Sequence, residues 1–347
     1  MAACRVPAVG RRGRGAIAWS IVAAATAVAA VELTARPQPG SVLPDGAIVT
    51  SAPCTVSSPS YDDYVAFLEA RPAGDPKDAA FDETAFRRNT PEPWFRALKE
   101  SAGVRCRRIS YGSDGLRVTG FIVEPVTPGR HPLVIFNRGG TQNFGAIRTG
   151  DLVEFAGWAL DGYVVAATQY RGNDGGEGVE QWGGADVNDI VHLATLARAL
   201  PSVDPAGVYM YGVSRGGMMT YLALKAGVQV RAAATVGGPS DLAASLTHRA
   251  DMEKVYRELM PDYARRKDEH LRARSAVHWP EAINAPLLLL HGGADWRVWP
   301  GNALALASAL QRLGRPYGLV VYEGDDHPLT QHWPDARQRI RQWFRSH

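Results

Sequence analysis

The chain has 347 residues, 46% of them hydrophobic and 21% charged, with a formal net charge of +3. This is ordinary globular composition at a length that buries a sizeable core, and neither long polar tracts nor internal repeats interrupt it, which excludes disordered and solenoid classes. Arg5, Arg11, Arg12 and Arg14 precede the first acid; their removal turns +3 into −1, so the basic balance belongs to the first residues and is no footprint of nucleic-acid binding.

In chain order, the basic start is followed by Ala16 to Val31, apolar apart from Ser20 and Thr26. The run is shorter than the ~20 residues that span a bilayer, and small residues surround its end. Ala27-Val28-Ala29 and Leu33-Thr34-Ala35 offer cleavage contexts. A signal peptide over residues 1–35 is predicted, giving an exported protein, periplasmic or secreted. The alternative is an uncleaved anchor that holds the chain to the membrane. Residues 36–60, rich in Pro, Ser and Gly, read as a linker. Residues 61–100 carry helical spacing at Tyr64, Phe67 and Leu68, broken at Asp75-Pro76 and Asn89-Thr90-Pro91. Linker and small helical segment together fill 36–104. Cys4 leaves with the leader; Cys54 and Cys106 remain, either as a disulfide, stabilising by ~4 kcal/mol in the chain-entropy model, or as two thiols.

From about residue 105 short apolar runs alternate with helical patterns. Strands are predicted at Leu116–Val123, Leu133–Phe136, Tyr163–Ala167, Val208–Tyr211, Ala232–Val236, Leu287–Leu290 and Tyr317–Tyr322. Helices are predicted at 185–200, 218–226, 303–313 and 335–344. Residues 240–282, polar and mostly helical, read as a lid-like insertion. The alternation describes an α/β fold with a mostly parallel central sheet over 105–347, with ligand sites at the strand C-terminal ends.

Gly212-Val213-Ser214-Arg215-Gly216 falls between a strand and a helix. A serine there sits on a tight, strained turn with its hydroxyl clear of the sheet, and the helix N-terminus supplies N–H groups for negative charge. A serine hydroxyl needs an adjacent base, which in this fold follows the acid in chain order. Asp295 and His327 leave the ends of the last two strands in that order, as acid and base. His332 is the rival base, Asp325 and Asp326 the rival acids, read instead as turn formers. His291 precedes the acid and reads as structural or pocket-lining; His192 lies within a helix and reads as packing. The Arg215 backbone N–H is the first oxyanion donor, and the second comes from Asn137-Arg138-Gly139-Gly140. Arg171, Trp182 and Trp296 sit on loops that could line a substrate pocket. No Cys/His cluster has zinc spacing, and neither cofactor nor metal is expected.

Tyr211-Gly212-Val213-Ser214-Arg215-Gly216-Gly217, His291-Gly292-Gly293-Ala294-Asp295-Trp296-Arg297-Val298 and Trp182-Gly183-Gly184-Ala185-Asp186-Val187-Asn188-Asp189 resemble the prolyl oligopeptidase family of serine peptidases, from about Ser110 to the C-terminus. The resemblance implies an α/β-hydrolase fold and an acyl-enzyme peptidase with Ser214, Asp295 and His327 as nucleophile, acid and base. Three departures stand out. Val213 precedes the nucleophile where an aromatic is common. Arg138 occupies the position of an oxyanion tyrosine, so the second oxyanion donor is either Arg138 or the Gly139 N–H. The roughly 70 residues between leader and hydrolase are too few for the family's β-propeller. The expected partner is a peptide or a small ester, since the same domain can serve carboxylic esters; nucleic acid is not expected, nor membrane beyond the leader. A catalytically silent binding module is the third reading.

Overall fold

The computed structural model describes residues 43–71, 75 and 77–347. The predicted leader at 1–35 lies outside the described residues.

Among the described residues nine strands run β1 (Ile48–Pro53), β2 (Val104–Ser113), β3 (Leu116–Pro125), β4 (His131–Asn137), β5 (Val164–Thr168), β6 (Val203–Val213), β7 (Ala232–Val236), β8 (Leu287–Gly292) and β9 (Tyr317–Tyr322). The helices are α1 (Tyr61–Glu69), α2 (Glu83–Asn89), α3 (Glu92–Glu100), α4 (Thr149–Leu160), α5 (Val187–Arg198), α6 (Arg215–Lys225), α7 (Leu242–His248), α8 (Met252–Leu259), α9 (Tyr263–Arg274), α10 (Gly301–Arg312) and α11 (Trp333–Ser346). The strands form one sheet in the order β1-β2-β3-β5-β4-β6-β7-β8-β9. Pairing is antiparallel from β1 through β3 to β5 and parallel from there to β9. With helices on both faces, this is the α/β-hydrolase architecture.

Covering both faces explains the strand compositions. β7 is Ala-Ala-Ala-Thr-Val and β8 opens with four leucines, buried throughout, because a central parallel strand has no solvent face to alternate toward. α5, α6 and α10 pack Ile190, Met218 and Leu306 against one face. α4 and α11 pack Phe155 and Phe344 against the other, joined by Tyr61 of α1 and Phe95 of α3. Local chemistry fixes several helix starts: the side chains of Ser60, Asp82 and Asp241 accept from the backbone N–H groups of Asp63, Ala85 and Ala244, each satisfying a donor the helix itself leaves orphaned.

Three elements escaped the sequence pattern. β1 occupies part of the predicted linker at 36–60. It is an edge strand with mostly exposed side chains, held by main-chain pairing such as Thr50 to Ser110 and leaving no alternating apolar trace. A disulfide joins Cys54, just past its end, to Cys106 of β2, with Cα atoms 5.4 Å apart. β2 lies where the sequence showed only a change of pattern. α4 is buried from Leu152 to Val153 and from Phe155 to Ala159, so it lacks the polar stripe that marks a surface helix. The predicted insertion at 240–282 contains α7, α8, α9 and two short 3-10 turns. Among the described residues no helix is long and apolar enough to cross a membrane.

Candidate active site

The C-terminal ends of β4, β6, β7, β8 and β9 meet along one edge of the sheet. Ser214 stands between β6 and α6 with φ 57° and ψ −129°, a conformation costly for a non-glycine residue that persists only where its surroundings fix it. Its N–H donates to Val236 O at 2.8 Å, and its own carbonyl accepts from Gly217 N–H at 2.8 Å. The turn also needs glycine at 216, where a Cβ would stand 1.9 Å from Asn137 O. The nucleophile helix can therefore press against the end of β4.

Asp295 and His327 come together at the ends of β8 and β9. His327 Nδ1 lies 2.7 Å from Asp295 Oδ2. The ring rests on Gly237, the residue after β7, whose Cβ position would be 3.1 Å from both Cε1 and Nδ1. Ser214 is tied to Val236 and His327 to Gly237, so the two side chains flank the same strand end. Among the described residues neither Ser214 Oγ nor His327 Nε2 makes a hydrogen bond, so the serine–histidine contact is open; such bonds tighten when substrate binds.

Asp295 is buried but richly solvated by protein donors. Oδ1 accepts from the N–H groups of Arg297 at 2.8 Å and Val298 at 2.9 Å. Oδ2 faces His327 and also His291 Nε2, at 3.2 Å. Burial opposes the charge, yet the hydrogen bonds from His291 and His327, with the Val298 N–H, hold its carboxyl well below the usual carboxylate range. His291 Nε2 lies 2.8 Å from Val298 O as well, so His291, read from the sequence as structural or pocket-lining, braces the acid loop. The rivals are engaged elsewhere. His332 Nδ1 lies 2.8 Å from Asp325 Oδ2, and Asp325 and Asp326 accept N–H groups of residues 326, 330, 331 and 332. His192 Nδ1 lies 3.0 Å from Ser113 Oγ.

On the other side of Ser214, Gly139 backs directly onto the serine: its Cβ position would be 3.0 Å from Ser214 Cβ and 3.7 Å from Oγ. Neither the Gly139 nor the Arg215 N–H donates to a protein acceptor among the described residues. The Arg138 side chain, predicted as an oxyanion residue, is instead buried and spent on loop carbonyls. Its guanidinium binds the carbonyls of Gly139 at 2.9 Å, Gln142 at 2.9 Å and Gln169 at 2.8 Å, clamping the loop that carries Gly139. The Arg215 side chain is almost wholly buried, with Nη1 2.8 Å from Glu180 and Nη2 on Asp186. Desolvation works against its charge, but the two acids raise its pKa.

Two predicted pocket residues are corrected. Arg171 is buried, its guanidinium held by Asp189 at 2.7 Å and Asp114 at 2.8 Å, because a buried cation requires partners. Trp182 is also buried, packed 4.6 Å from the Arg215 guanidinium and 5.7 Å from the Tyr256 ring. Trp296 alone of the three is half-buried, beside the acid, with Lys77, Arg249 and Arg297 at 5.2, 5.0 and 4.7 Å from its ring. Sequence reasoning missed the roles of Asp186 and Asp189, although both stand in the Trp182–Asp189 stretch that carries the family resemblance. Asp186 binds the N–H groups of Gly183 and Gly184 along with Arg215; Asp189 takes Arg171. Glu180 and Tyr170 carried no comparable signal.

The model of the prolyl oligopeptidase family matches residues 151–347. The uncharacterized peptidase YtmA of Bacillus subtilis is 31% identical over 252 residues, covering 71% of this chain and 95% of that protein. Among solved structures, the acylaminoacyl peptidase of Pyrococcus horikoshii aligns with a TM-score of 0.61 and 21% identity, covering 71% of this chain and 42% of that one. The puromycin-hydrolyzing peptidase of Mycobacterium tuberculosis aligns with a TM-score of 0.59 and 24% identity, over 69% and 39%. The chain thus matches nearly all of the Bacillus relative but only about two fifths of the two solved peptidases.

Proposed function

Since this chain belongs to the prolyl oligopeptidase family and is a serine hydrolase, we propose that it cleaves peptide bonds through an acyl-enzyme, with Ser214, His327 and Asp295 as nucleophile, base and acid. Ser214 Oγ attacks the scissile carbonyl carbon while His327 Nε2 takes its proton. Asp295 fixes the imidazole tautomer, with the proton on Nδ1, and stabilises the imidazolium. The carbonyl oxygen, now an oxyanion, accepts from the N–H groups of Arg215 and Gly139. Collapse expels the amine, which receives the proton from His327. Water, activated by the same histidine, then releases the acyl group and restores Ser214.

The observation that supports this reading best is the 2.7 Å bond from His327 to a charged, buried Asp295, beside a serine held at a positive φ. The test is labelling with a fluorophosphonate, followed by turnover of aminoacyl amides and short acyl esters. Wild-type protein should label and Ser214→Ala should not, with kcat lower by about 10⁶-fold, as when the nucleophile of such a triad is removed. Labelling that survives Ser214→Ala would sink the assignment. Ester turnover without amide cleavage would move the chemistry to carboxylic esters.

We also propose that the protein works outside the cytoplasm. The basic, then apolar, first 35 residues support export, as does the Cys54–Cys106 bond, since disulfides persist in oxidising compartments. Mass spectrometry of the protein from its native host should find a mature N-terminus just after Ala29 or Ala35.

A further inference from the structure

Tyr170 takes no part in the chemistry above, yet its setting is unusual. It follows β5 with φ 62°, a left-handed backbone that tyrosine rarely adopts. The side chain is fully buried. The guanidinium carbons of Arg138 and Arg215 each lie 5.0 Å from its ring centroid. The backbone is fixed on both sides: Tyr170 N–H donates to Thr168 Oγ1 at 3.1 Å, and the next N–H, of Arg171, donates to Asp189 at 2.8 Å. The surroundings therefore over-determine a strained residue, the circumstance in which strain serves a function.

The hydroxyl of this ring donates to Arg138 O at 3.1 Å. That oxygen belongs to the peptide unit joining Arg138 to Gly139, the unit whose N–H lies on Gly139 against Ser214. Among the described residues Tyr170 is the one donor to this carbonyl. A peptide unit is planar, so its C=O and N–H point in opposite directions and fixing one fixes the other. A hydrogen bond at the oxygen also polarises the amide and strengthens donation from its N–H. Burial pushes the Tyr170 pKa up, against the opposing charges of Arg215 and Arg138, so the hydroxyl keeps its proton and stays a donor.

We propose that Tyr170 is a positioning residue for the oxyanion site, its hydroxyl aligning and polarising the Arg138–Gly139 peptide so that the Gly139 N–H meets the charge that develops on the substrate oxygen. The proposal rests on the reading of Ser214 as nucleophile and Gly139 as oxyanion donor. The other holds on the loop act on different groups: Arg138 on the carbonyls of Gly139 and Gln142, Arg215 on Gly140 O at 3.2 Å, and Glu180 on the Gln142 N–H at 2.9 Å. Among the described residues Tyr170 alone acts on the donor's own peptide unit. The ring packs against the two guanidiniums; the hydroxyl does the aligning, so the two roles separate in a single substitution.

The experiment compares wild type with Tyr170→Phe, in the full chain, by steady-state kinetics and by affinity for a peptide boronate, which forms the tetrahedral adduct, against affinity for the cleavage product, which does not. The expected result is kcat lower by about 10-fold with KM unchanged, below the 10² to 10³ that follows deletion of a donor itself. Boronate affinity should fall in the same ratio and product affinity should hold. Unchanged kcat and boronate affinity would overturn the proposal, even with a lower Tm, because that pattern is purely structural. Should Tyr170→Phe not fold, Tyr170→3-fluorotyrosine retains shape and makes the hydroxyl a stronger donor; a higher ratio of boronate to product affinity supports the proposal and an unchanged ratio overturns it. Ser214→Ala is run alongside: turnover that survives in it breaks the parent reading, whereas its loss together with a wild-type Tyr170→Phe breaks only this inference.

Discussion

The two sides of Ser214 are built on different principles. On the oxyanion side, Arg138, Arg215, Glu180 and Asp186 are all nearly or fully buried, and their charges are cross-linked to one another and to loop carbonyls. On the base side, His327 remains partly open to solvent and hangs from one carboxylate oxygen. The donors of an oxyanion site must be in place before charge develops, since reorganisation during the reaction would forfeit their effect. A base that takes and returns a proton must instead shift between partners. The contrast teaches that rigidity here follows the chemistry each side performs. Losses on the base side should appear in rate, and losses on the oxyanion side in stability as well.

The largest effect expected is on the base side. Asp295→Asn keeps the shape and leaves an acceptor for the Arg297 and Val298 N–H groups, but it presents His327 with an amide and removes the charge that stabilises the imidazolium. In triads of this kind the change lowers kcat by about 10⁴-fold. Tm should fall by no more than the stabilisation the ionised carboxyl contributes, and the protein should stay folded at the assay temperature. A collapse in Tm matching the loss of rate would erase the contrast, because Asp295 would then be as structural as the charges opposite.

Next in size is Arg215→Met. It removes the cation, leaving Asp186 with the Gly183 and Gly184 N–H groups and Glu180 with the more distant Arg138 guanidinium at 3.7 Å; breaking a buried pair in this way destabilises by about 3–5 kcal/mol. Urea unfolding should show a lower midpoint at an unchanged m-value. Activity per folded molecule should also fall, since Gly140 O loses a donor. Wild-type stability in this variant would mean that the network is looser than its distances say. Smaller again is removal of the Cys54–Cys106 bond by paired alanines, expected at about 2–4 kcal/mol. It ties the β1 edge, away from both sides, so kcat should hold while Tm falls.

How legible all this was in the sequence follows the same divide. Ser214, Asp295 and His327 each sit at a strand end in a short stretch with glycine, and their chain order constrains them; the geometry brings the latter two into contact. The central strands were legible because burial on both faces writes an unbroken apolar run. β1 and α4 were not, the first because an edge strand is held by its backbone, the second because near-complete burial erases its period. The charge network was invisible for another reason. Arg171 reads as a pocket cation, and nothing in the sequence marks the Arg215 side chain, until Asp189, Glu180 and Asp186 are brought beside them, and pairing at such separations leaves no spacing rule. Tyr170 is the extreme case: its relevance is set by which carbonyl its hydroxyl reaches.

The smallest effect expected is on acid stability, and it probes the base side through charge alone. The Asp295 carboxyl is held below its ordinary range, whereas the unfolded chain titrates it near the ordinary aspartate value of about 3.9. Above that value both states are ionised and the full stabilisation is present. As pH falls below it the unfolded chain takes up the proton first, and stability declines until the folded carboxyl is protonated too. Each unit of depression corresponds to about 1.4 kcal/mol. Wild type should therefore lose Tm more steeply than Asp295→Asn between about pH 4 and pH 2, with the two curves parallel above about pH 5. Parallel curves throughout would mean that the fold does not favour the charged carboxylate, and His327 would then be oriented without the electrostatic support that distinguishes the base side from the oxyanion side.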